Sequence, residues 1–183
     1  TGRGVRSDGV DEVALAAHHP SQRRQLPRRK AIRAAGRRVE AVERRGKHQL
    51  IHLDDGAVLH VHFRMDGDWV LGRAGEALAR AARVTIDLDN GVRVGLEDPR
   101  ALCTISYHPP GRPPRLVLGP EADDPAFTSA ALREGLRQRR GAIKPALLDQ
   151  KLIAGVGNIY ASEALWRARI HPAVRASAIG SVR

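Results

Sequence analysis

The chain has 183 residues, 42% of them hydrophobic, with 31 Lys plus Arg against 20 Asp plus Glu, a formal net charge of +11. That describes one or two folded domains with a polyanionic partner, nucleic acid ahead of a membrane surface because no basic amphipathic helix stands out. A single cysteine, Cys103, excludes a disulfide framework and a Cys-based zinc finger within these residues, and no apolar run approaches the roughly 18 residues of a membrane span.

From the N-terminus, Thr1–Gly9 is polar and glycine-rich, with no start signal and no signal-peptide core, so the expected location is intracellular, in the cytoplasm or at the nucleoid. Val10–Ala17 reads as a short strand. Pro20–Arg29 carries Arg23, Arg24, Arg28 and Arg29 around two prolines and reads as an exposed basic connection. Arg38–Arg45 has strand-like alternation, with a helix also possible.

Two hairpins follow. His48–Leu53 and Ala57–Phe63 flank Asp54-Asp55-Gly56, and Arg83–Leu88 and Val92–Leu96 flank Asp89-Asn90-Gly91. Both joints carry the Asp/Asn-Gly chemistry that tolerates positive φ at a tight turn. In the first, Ile51, Leu53, Ala57, Leu59 and Val61 share a core face, and His48, His52, His60 and His62 share the other. Zinc needs three or four converging ligands, usually oriented by carboxylates. These histidines are spread along two strands with no carboxylate between them, so the expectation is a polar face near an anion and no metal site.

Prolines cluster from Pro109 to Pro120, and the domain boundary is placed there, giving residues 1–119 and 120–183. Beyond it the pattern turns helical. Asp124-Pro125 predicts a helix start before the stripe Phe127, Ala131, Leu132 and Leu136. Lys144-Pro145 starts a second helix through Leu147, Leu148 and Leu152, ended by Gly155. Asn158 caps a third, running to about Arg169.

The chemistry concentrates at this last joint. Gly155 and Gly157 let backbone N–H groups face outward with a helix dipole behind them, and Arg140 and Lys144 stand just upstream, an arrangement able to hold a phosphate. By glycine spacing alone, an ordinary glycine-capped helical hairpin is the simpler reading. Only four basic residues are lysine (Lys30, Lys47, Lys144 and Lys151); the rest are arginine, whose planar fork suits phosphates and base edges. A codon-driven arginine habit is the bland alternative. Aromatics, at 3%, argue against a stacking platform for single strands.

The whole string from Ala142-Ile-Lys-Pro through Leu147-Leu-Asp-Gln-Lys-Leu-Ile-Ala-Gly-Val-Gly-Asn-Ile-Tyr-Ala-Ser-Glu-Ala-Leu165 resembles the helix–two-turn–helix (H2TH) motif of the formamidopyrimidine-DNA glycosylase/endonuclease VIII family, nearer the former. Other blocks follow in the family's order. Glu43-Arg-Arg-Gly-Lys47 is similar to its Arg-Arg-Gly-Lys strand start, and His62-Phe-Arg-Met-Asp-Gly-Asp-Trp69 to its His-Leu-x-Met-x-Gly-x-Trp loop. Glu97-Asp-Pro-Arg100 is similar to its Asp-Pro-Arg-Arg-Phe-Gly block, and Leu118-Gly-Pro-Glu121 to the start of its helical domain. His19-Pro20 through Arg23-Arg24 resembles an early strand with its arginine pair.

The resemblance implies an α+β protein, an N-terminal β-sandwich joined to an H2TH domain, acting as a monomer on damaged double-stranded DNA held in a basic cleft. It implies a base-excision-repair glycosylase and AP lyase removing oxidised bases of the formamidopyrimidine or 8-oxoguanine type. Such an enzyme must flip its target base from the duplex, at a cost of roughly a few kcal/mol, and fill the hole left behind. By resemblance Met65 is the wedge, with Arg100 and Leu102 completing the void-filling set. Arg100 also hydrogen-bonds the orphaned base. Asn158, the Gly157 backbone, Lys144 and Arg140 hold phosphates, Arg83 occupies a DNA-contacting position, and Lys47 assists strand cleavage.

The chain departs from the family in four places. The family attacks the sugar with an N-terminal proline amine beside a glutamate, whereas this sequence begins Thr1-Gly-Arg-Gly-Val5. The expectation is a sequence starting inside a longer protein and stopping before a four-cysteine zinc finger, which would hold one zinc ion; this chain itself would hold no cofactor. Ala101 and Leu102 replace an Arg-Phe pair, and Asp66 is a variation shared with the endonuclease VIII side. The alternatives are a non-catalytic DNA-binding relative, an endonuclease VIII-type enzyme for oxidised pyrimidines, and an RNA-binding protein, the last opposed by the Met-loop and Asp-Pro-Arg blocks.

Overall fold

The computed structural model describes residues 12–17, 34–78, 82–125 and 127–180, and of 12–17 the backbone alone. The basic connection and early arginine pair anticipated around Pro20 lie outside the described residues. The chain divides into two compact units, one ending at Arg115 and the other starting at Leu116.

The first unit is β-structure. Its strands are β1 (Glu12–Ala17), β2 (Arg37–Arg45), β3 (His48–Leu53), β4 (Val58–His62), β5 (Asp68–Arg73), β6 (Ala82–Leu88), β7 (Val92–Glu97) and β8 (Thr104–His108). They pair antiparallel in the order β5-β7-β6-β1-β2-β3-β4-β8. Both expected hairpins form, and Gly56 and Gly91 take the positive φ their turns need, 78° and 83°. Arg38–Arg45 resolves as strand. Strands β5 and β8 are additions to the sequence reading: the loop motif ended at Trp69, inside β5, and Thr104–His108 carried no turn signal of its own.

One core closes the two halves of the sheet on each other. Leu53, Leu59, Val61, Ile105 and Tyr107 from one half pack with Val84 and Leu96 from the other, with Ala34, Ala57 and Cys103 between. That is sandwich packing, in which alternate residues of each strand point inward. In the first hairpin Ile51 lies opposite Leu59, while His48 pairs with His62 and Leu50 with His60. Leu50 and Val58 are buried on the histidine face, so that face is half-covered where a polar one was expected.

The second unit holds α1 (Ser129–Arg137), α2 (Ile143–Leu148), α3 (Asn158–Arg167) and a 3-10 turn at Ala176–Ala178. Leu136, Ile143, Leu147, Leu152, Ile153, Ala161 and Leu165 form its buried core. Three expected helix limits are corrected. Helix α1 is capped by Thr128, whose hydroxyl oxygen accepts from the Ala131 amide at 3.2 Å, because Asp124 and Pro125 are used in a turn in which the Phe127 amide donates to the Asp124 carbonyl. Helix α2 ends at Leu148 rather than at Gly155: the Asp149 carboxylate accepts from the Lys151 amide at 3.0 Å, an Asx-turn that directs the chain out of the helix. Helix α3 is capped by Gly157 with no side-chain bond, and Asn158 is its first residue.

Segment Leu118–Glu121 docks along the loop that follows α2. The Gly119 amide donates to the Gln150 carbonyl and the Ala154 amide to the Pro120 carbonyl, both at 2.8 Å. A Cβ on Gly119 would stand 2.5 Å from the Lys151 carbonyl oxygen, so only glycine allows this approach. Among the described residues no helix is long and apolar enough to cross a membrane.

Candidate nucleic-acid interface

In the β unit, Lys47 stands in the tight β2–β3 turn. Gly46 supplies a φ of 57°, and the Arg44 Nη1 donates to the Gly46 carbonyl at 3.1 Å. The Lys47 side chain is exposed, yet partial loss of solvent around its amine holds the ammonium below the ordinary lysine range. Such a lysine gives up its proton more readily than a fully solvated one.

Between β4 and β5 the chain makes a tight loop with Met65 at its exposed tip, 64% accessible. Arg64 has a φ of 64°, unusual for a side-chain-bearing residue, and its amide donates to His62 Nδ1 at 3.0 Å. The loop base is packed, with Phe63 meeting Trp69 edge-on at 5.8 Å and Trp69 Nε1 donating to Gln49 Oε1 at 2.6 Å. Met65 is thus an exposed apolar tip on a packed base.

The turn between β7 and β8 carries Arg100 and Leu102. The carboxylate of buried Asp98 accepts from the Cys103 amide at 2.7 Å, and the Ala101 amide donates to the Asp98 carbonyl at 3.1 Å. Arg100 is exposed and its Nη1 lies 3.3 Å from the Asp66 carboxylate, while Leu102 is half-buried. The structure therefore brings Met65 and Arg100 into neighbouring loops. The Cys103 thiol donates to the Phe63 carbonyl at 2.9 Å, and burial together with the nearby Asp98 pushes its pKa up to about 12. Cys103 is an inert packing group. Arg83 is engaged with protein: its Nε donates to the Asp98 carbonyl at 3.0 Å and its Nη2 to the Pro99 carbonyl at 3.4 Å.

In the helical unit, Gly155 (φ 85°) bends the chain into the N-terminus of α3, where Gly157 is extended and Asn158 exposed. The joint is stapled by Gln150, whose Nε2 donates to the Leu148 and Val156 carbonyls at 3.0 and 2.9 Å and whose Oε1 accepts from the Gly155 amide at 2.9 Å. Arg139 donates to the Asp149 carboxylate at 2.7 Å and holds that carboxyl below its ordinary range. The next residue, Arg140, is exposed. Lys144, in the first turn of α2, is half-buried and lines a pocket with Ser162, Leu165, Trp166, Ile170 and Pro172.

Gln150 and Arg139 escaped the sequence reading. Gln150 sits inside the motif string, but nothing local marks a side chain that bonds three backbone groups. The Arg139–Asp149 pair spans ten positions with no helical spacing to reveal it.

The donor set does not fit a structural zinc. The one cysteine is buried on a carbonyl, and among the described residues no group of three His, Cys, Asp or Glu is arranged to hold a metal ion. His48 Nδ1 instead meets His60 Nε2 at 2.7 Å as an imidazole hydrogen bond.

Two family profiles match the chain: formamidopyrimidine-DNA glycosylase N-terminal domain over residues 5–105, and formamidopyrimidine-DNA glycosylase H2TH domain over residues 118–183. The chain is 46% identical over 142 residues to a formamidopyrimidine-DNA glycosylase of Chloroflexus aurantiacus, covering 75% of this chain and 50% of that protein. It is 38% identical over 177 residues to one of Bacillus subtilis, covering 94% and 64%. The chain thus spans half to about two thirds of these relatives. The MutM (Fpg) protein of Thermus thermophilus superposes with a TM-score of 0.78 at 32% identity, covering 94% of this chain and 62% of that one. The Lactococcus lactis Fpg bound to DNA containing an AP site gives 0.80 at 26%, covering 94% and 66%. With both profiles in chain order and the α+β architecture they describe, the chain belongs to the formamidopyrimidine-DNA glycosylase family.

Proposed function

We propose that the protein is a base-excision-repair glycosylase and AP lyase acting on oxidised bases in double-stranded DNA. The observation that carries this reading is the pairing of two exposed groups of different chemistry, Met65 and Arg100, on neighbouring rigid loops, with the Asp66–Arg100 ion pair between them. A thioether wedge beside a guanidinium suits the vacancy left by a flipped base. The first replaces stacking and the second hydrogen-bonds the unpaired partner. Leu102 supports the wedge where the family carries an aromatic ring.

Each unit supplies its own contacts to the duplex. In the β unit, Lys47 meets the backbone near the lesion and assists strand cleavage, its lowered pKa easing proton transfer. In the helical unit, the Gly157 backbone, Asn158, Lys144 and Arg140 hold phosphates. These contacts position the duplex, and the base-directed chemistry lies with Met65 and Arg100. Such a partner suits a protein of the cytoplasm or the nucleoid that acts as a monomer on its DNA. We divide the chain into a catalytic β domain over residues 1–119 and an H2TH domain over 120–183. The family's zinc ion would be held outside these residues, whose donor set does not fit it.

Borohydride trapping tests the activity. Full-length protein mixed with a duplex carrying 8-oxoguanine should form a covalent, reduction-stable complex. Intact duplex binding with no trapped complex would instead identify a non-catalytic DNA-binding relative. A complex formed only with oxidised pyrimidines would move the activity to the endonuclease VIII type.

A further inference from the structure

Arg83 occupies a bulge. Ala82 pairs with Glu97 and Val84 with the adjacent Leu96, so Arg83 is the extra residue of β6 and has no ladder partner of its own. A bulge re-aims the side chain it carries. Here it turns the guanidinium onto the turn that leaves β7, with Nε on the Asp98 carbonyl at 3.0 Å and Nη2 on the Pro99 carbonyl at 3.4 Å. Those two nitrogens form one edge of the fork, the edge a phosphate or carboxylate would otherwise take bidentately.

The same turn is held at its far end by the Asp98 carboxylate, which accepts from the Cys103 amide at 2.7 Å. Arg100 stands between the two clamps, and Ala101 beside it has a φ of 56°, a conformation that a non-glycine residue keeps only when its surroundings impose it. We propose that Arg83 is a positioning residue for Arg100 rather than a phosphate contact: it fixes the carbonyls that start the turn, so that the Arg100 guanidinium is presented next to Asp66 and the tip of the Met65 loop. This rests on the reading of Arg100 as the group that meets the unpaired base. Its consequence is that selectivity for the base opposite the lesion depends on a side chain that never touches DNA.

Lysine keeps the charge at position 83 but cannot reproduce a two-pronged grip on successive carbonyls. The test therefore compares Arg83→Lys and Arg83→Gln with unaltered full-length protein in two measurements. The first is hydrogen exchange without DNA. The Ala101 and Cys103 amides should exchange at least fivefold faster in both variants, with the amides of β3 and β4 unchanged. The second is titration with duplexes carrying an abasic-site analogue opposite each of the four bases. The spread of affinities among the four should narrow at least threefold in both variants, while the slope of log K against log salt stays the same.

A phosphate contact would give the opposite pattern. Arg83→Lys would behave as the unaltered protein, and Arg83→Gln would lower the slope by about one. That result, or unchanged exchange at Ala101 and Cys103, overturns the proposal. Faster exchange across the whole sheet also overturns it, because Arg83 would then be a general structural residue of β6. If the unaltered protein shows no opposite-base preference, the reading of Arg100 fails, and the exchange data still decide whether Arg83 holds the turn.

Discussion

The thiol of Cys103 donates to the carbonyl oxygen of Phe63 at 2.9 Å, across forty positions of sequence. This bond ties the loop that carries Met65 to the turn that carries Arg100. Because the Cys103 amide is also held by Asp98, at 2.7 Å, one residue ties the Met65 loop to the Arg100 turn from both sides.

Gly67 is the tightest point of that junction. A Cβ there would stand 2.2 Å from Cys103 Sγ and 3.0 Å from Phe63 Cβ. Overpacking of this kind costs about 1–3 kcal/mol, so Gly67→Ala should lower the melting temperature by several degrees and weaken lesion recognition. Adding Cys103→Ala removes the sulfur and leaves only the milder Phe63 clash. The double variant should lose less than the sum of the two single losses. Strict additivity in the melts would mean that the two residues do not meet.

The proposed base-directed and phosphate-directed groups should separate in binding data. Met65→Ala is expected to reduce preference for a duplex with an abasic-site analogue over an intact one by about tenfold, with intact-duplex affinity unchanged, since the thioether acts only when a base is missing from the stack. Lys144→Ala should weaken both equally and reduce the salt slope by about one. Should Lys144→Ala leave the slope unaltered, Lys144 belongs to the pocket it lines with Trp166 and makes no phosphate contact.

How far the sequence alone could reach depended on how local each signal was. The hairpins at Gly56 and Gly91 were legible because the turn chemistry and the alternation lie within a dozen residues. Met65, Arg100 and Asn158 were legible as motif members, but not the contacts that aim them. Arg83 shows the limit: its side chain is directed by a bulge, and a bulge depends on how β6 registers against β7, which no local pattern of residues encodes. The helix starts failed for a related reason. Asp124-Pro125 and Thr128 are both good caps, and the turn closed by the Phe127 amide on the Asp124 carbonyl leaves Thr128 as the residue that caps the helix.

Gln150 closes the loop between α2 and α3 with three hydrogen bonds to backbone. At roughly 1 kcal/mol each, Gln150→Ala should cost about 2–3 kcal/mol, read as a fall in the melting temperature. Gln150→Glu is the sharper variant. A carboxylate still accepts from the Gly155 amide but cannot donate to the Leu148 and Val156 carbonyls, and it brings negative charge to the proposed phosphate site. It should therefore weaken DNA binding more than alanine does. If glutamate binds DNA as well as glutamine, the loop does not hold phosphate.

Stability should fall on mild acidification because of the imidazoles on the outer face of β3, β4 and β8. His48 lies 4.9 Å from His60 and 4.7 Å from His62 between ring centroids, and His60 lies 5.9 Å from His108. Burial lowers the pKa of His60 and His62 to about 4 and lowers that of His48, and the neighbouring imidazoles and Arg64 push the same way, with Lys47 adding to the effect on His62. An unfolded histidine takes up a proton near pH 6.5, so between about 6.5 and 4 the unfolded chain binds more protons than the folded one. The stabilisation is complete above pH 6.5 and is lost as the pH falls towards 4. Discounted by about half for solvent around these half-buried rings, the loss is on the order of 2–3 kcal/mol, or about 5–10 °C between pH 7.5 and 4.5. The carboxylates held low by arginine, Asp87 and Asp149, contribute only below their ordinary value of 3.8 and leave this window to the histidines. His60→Gln removes the ring that touches both His48 and His108, and should shrink the pH-dependent difference by a third or more. An equal difference in the variant would assign the acid sensitivity to groups outside this cluster.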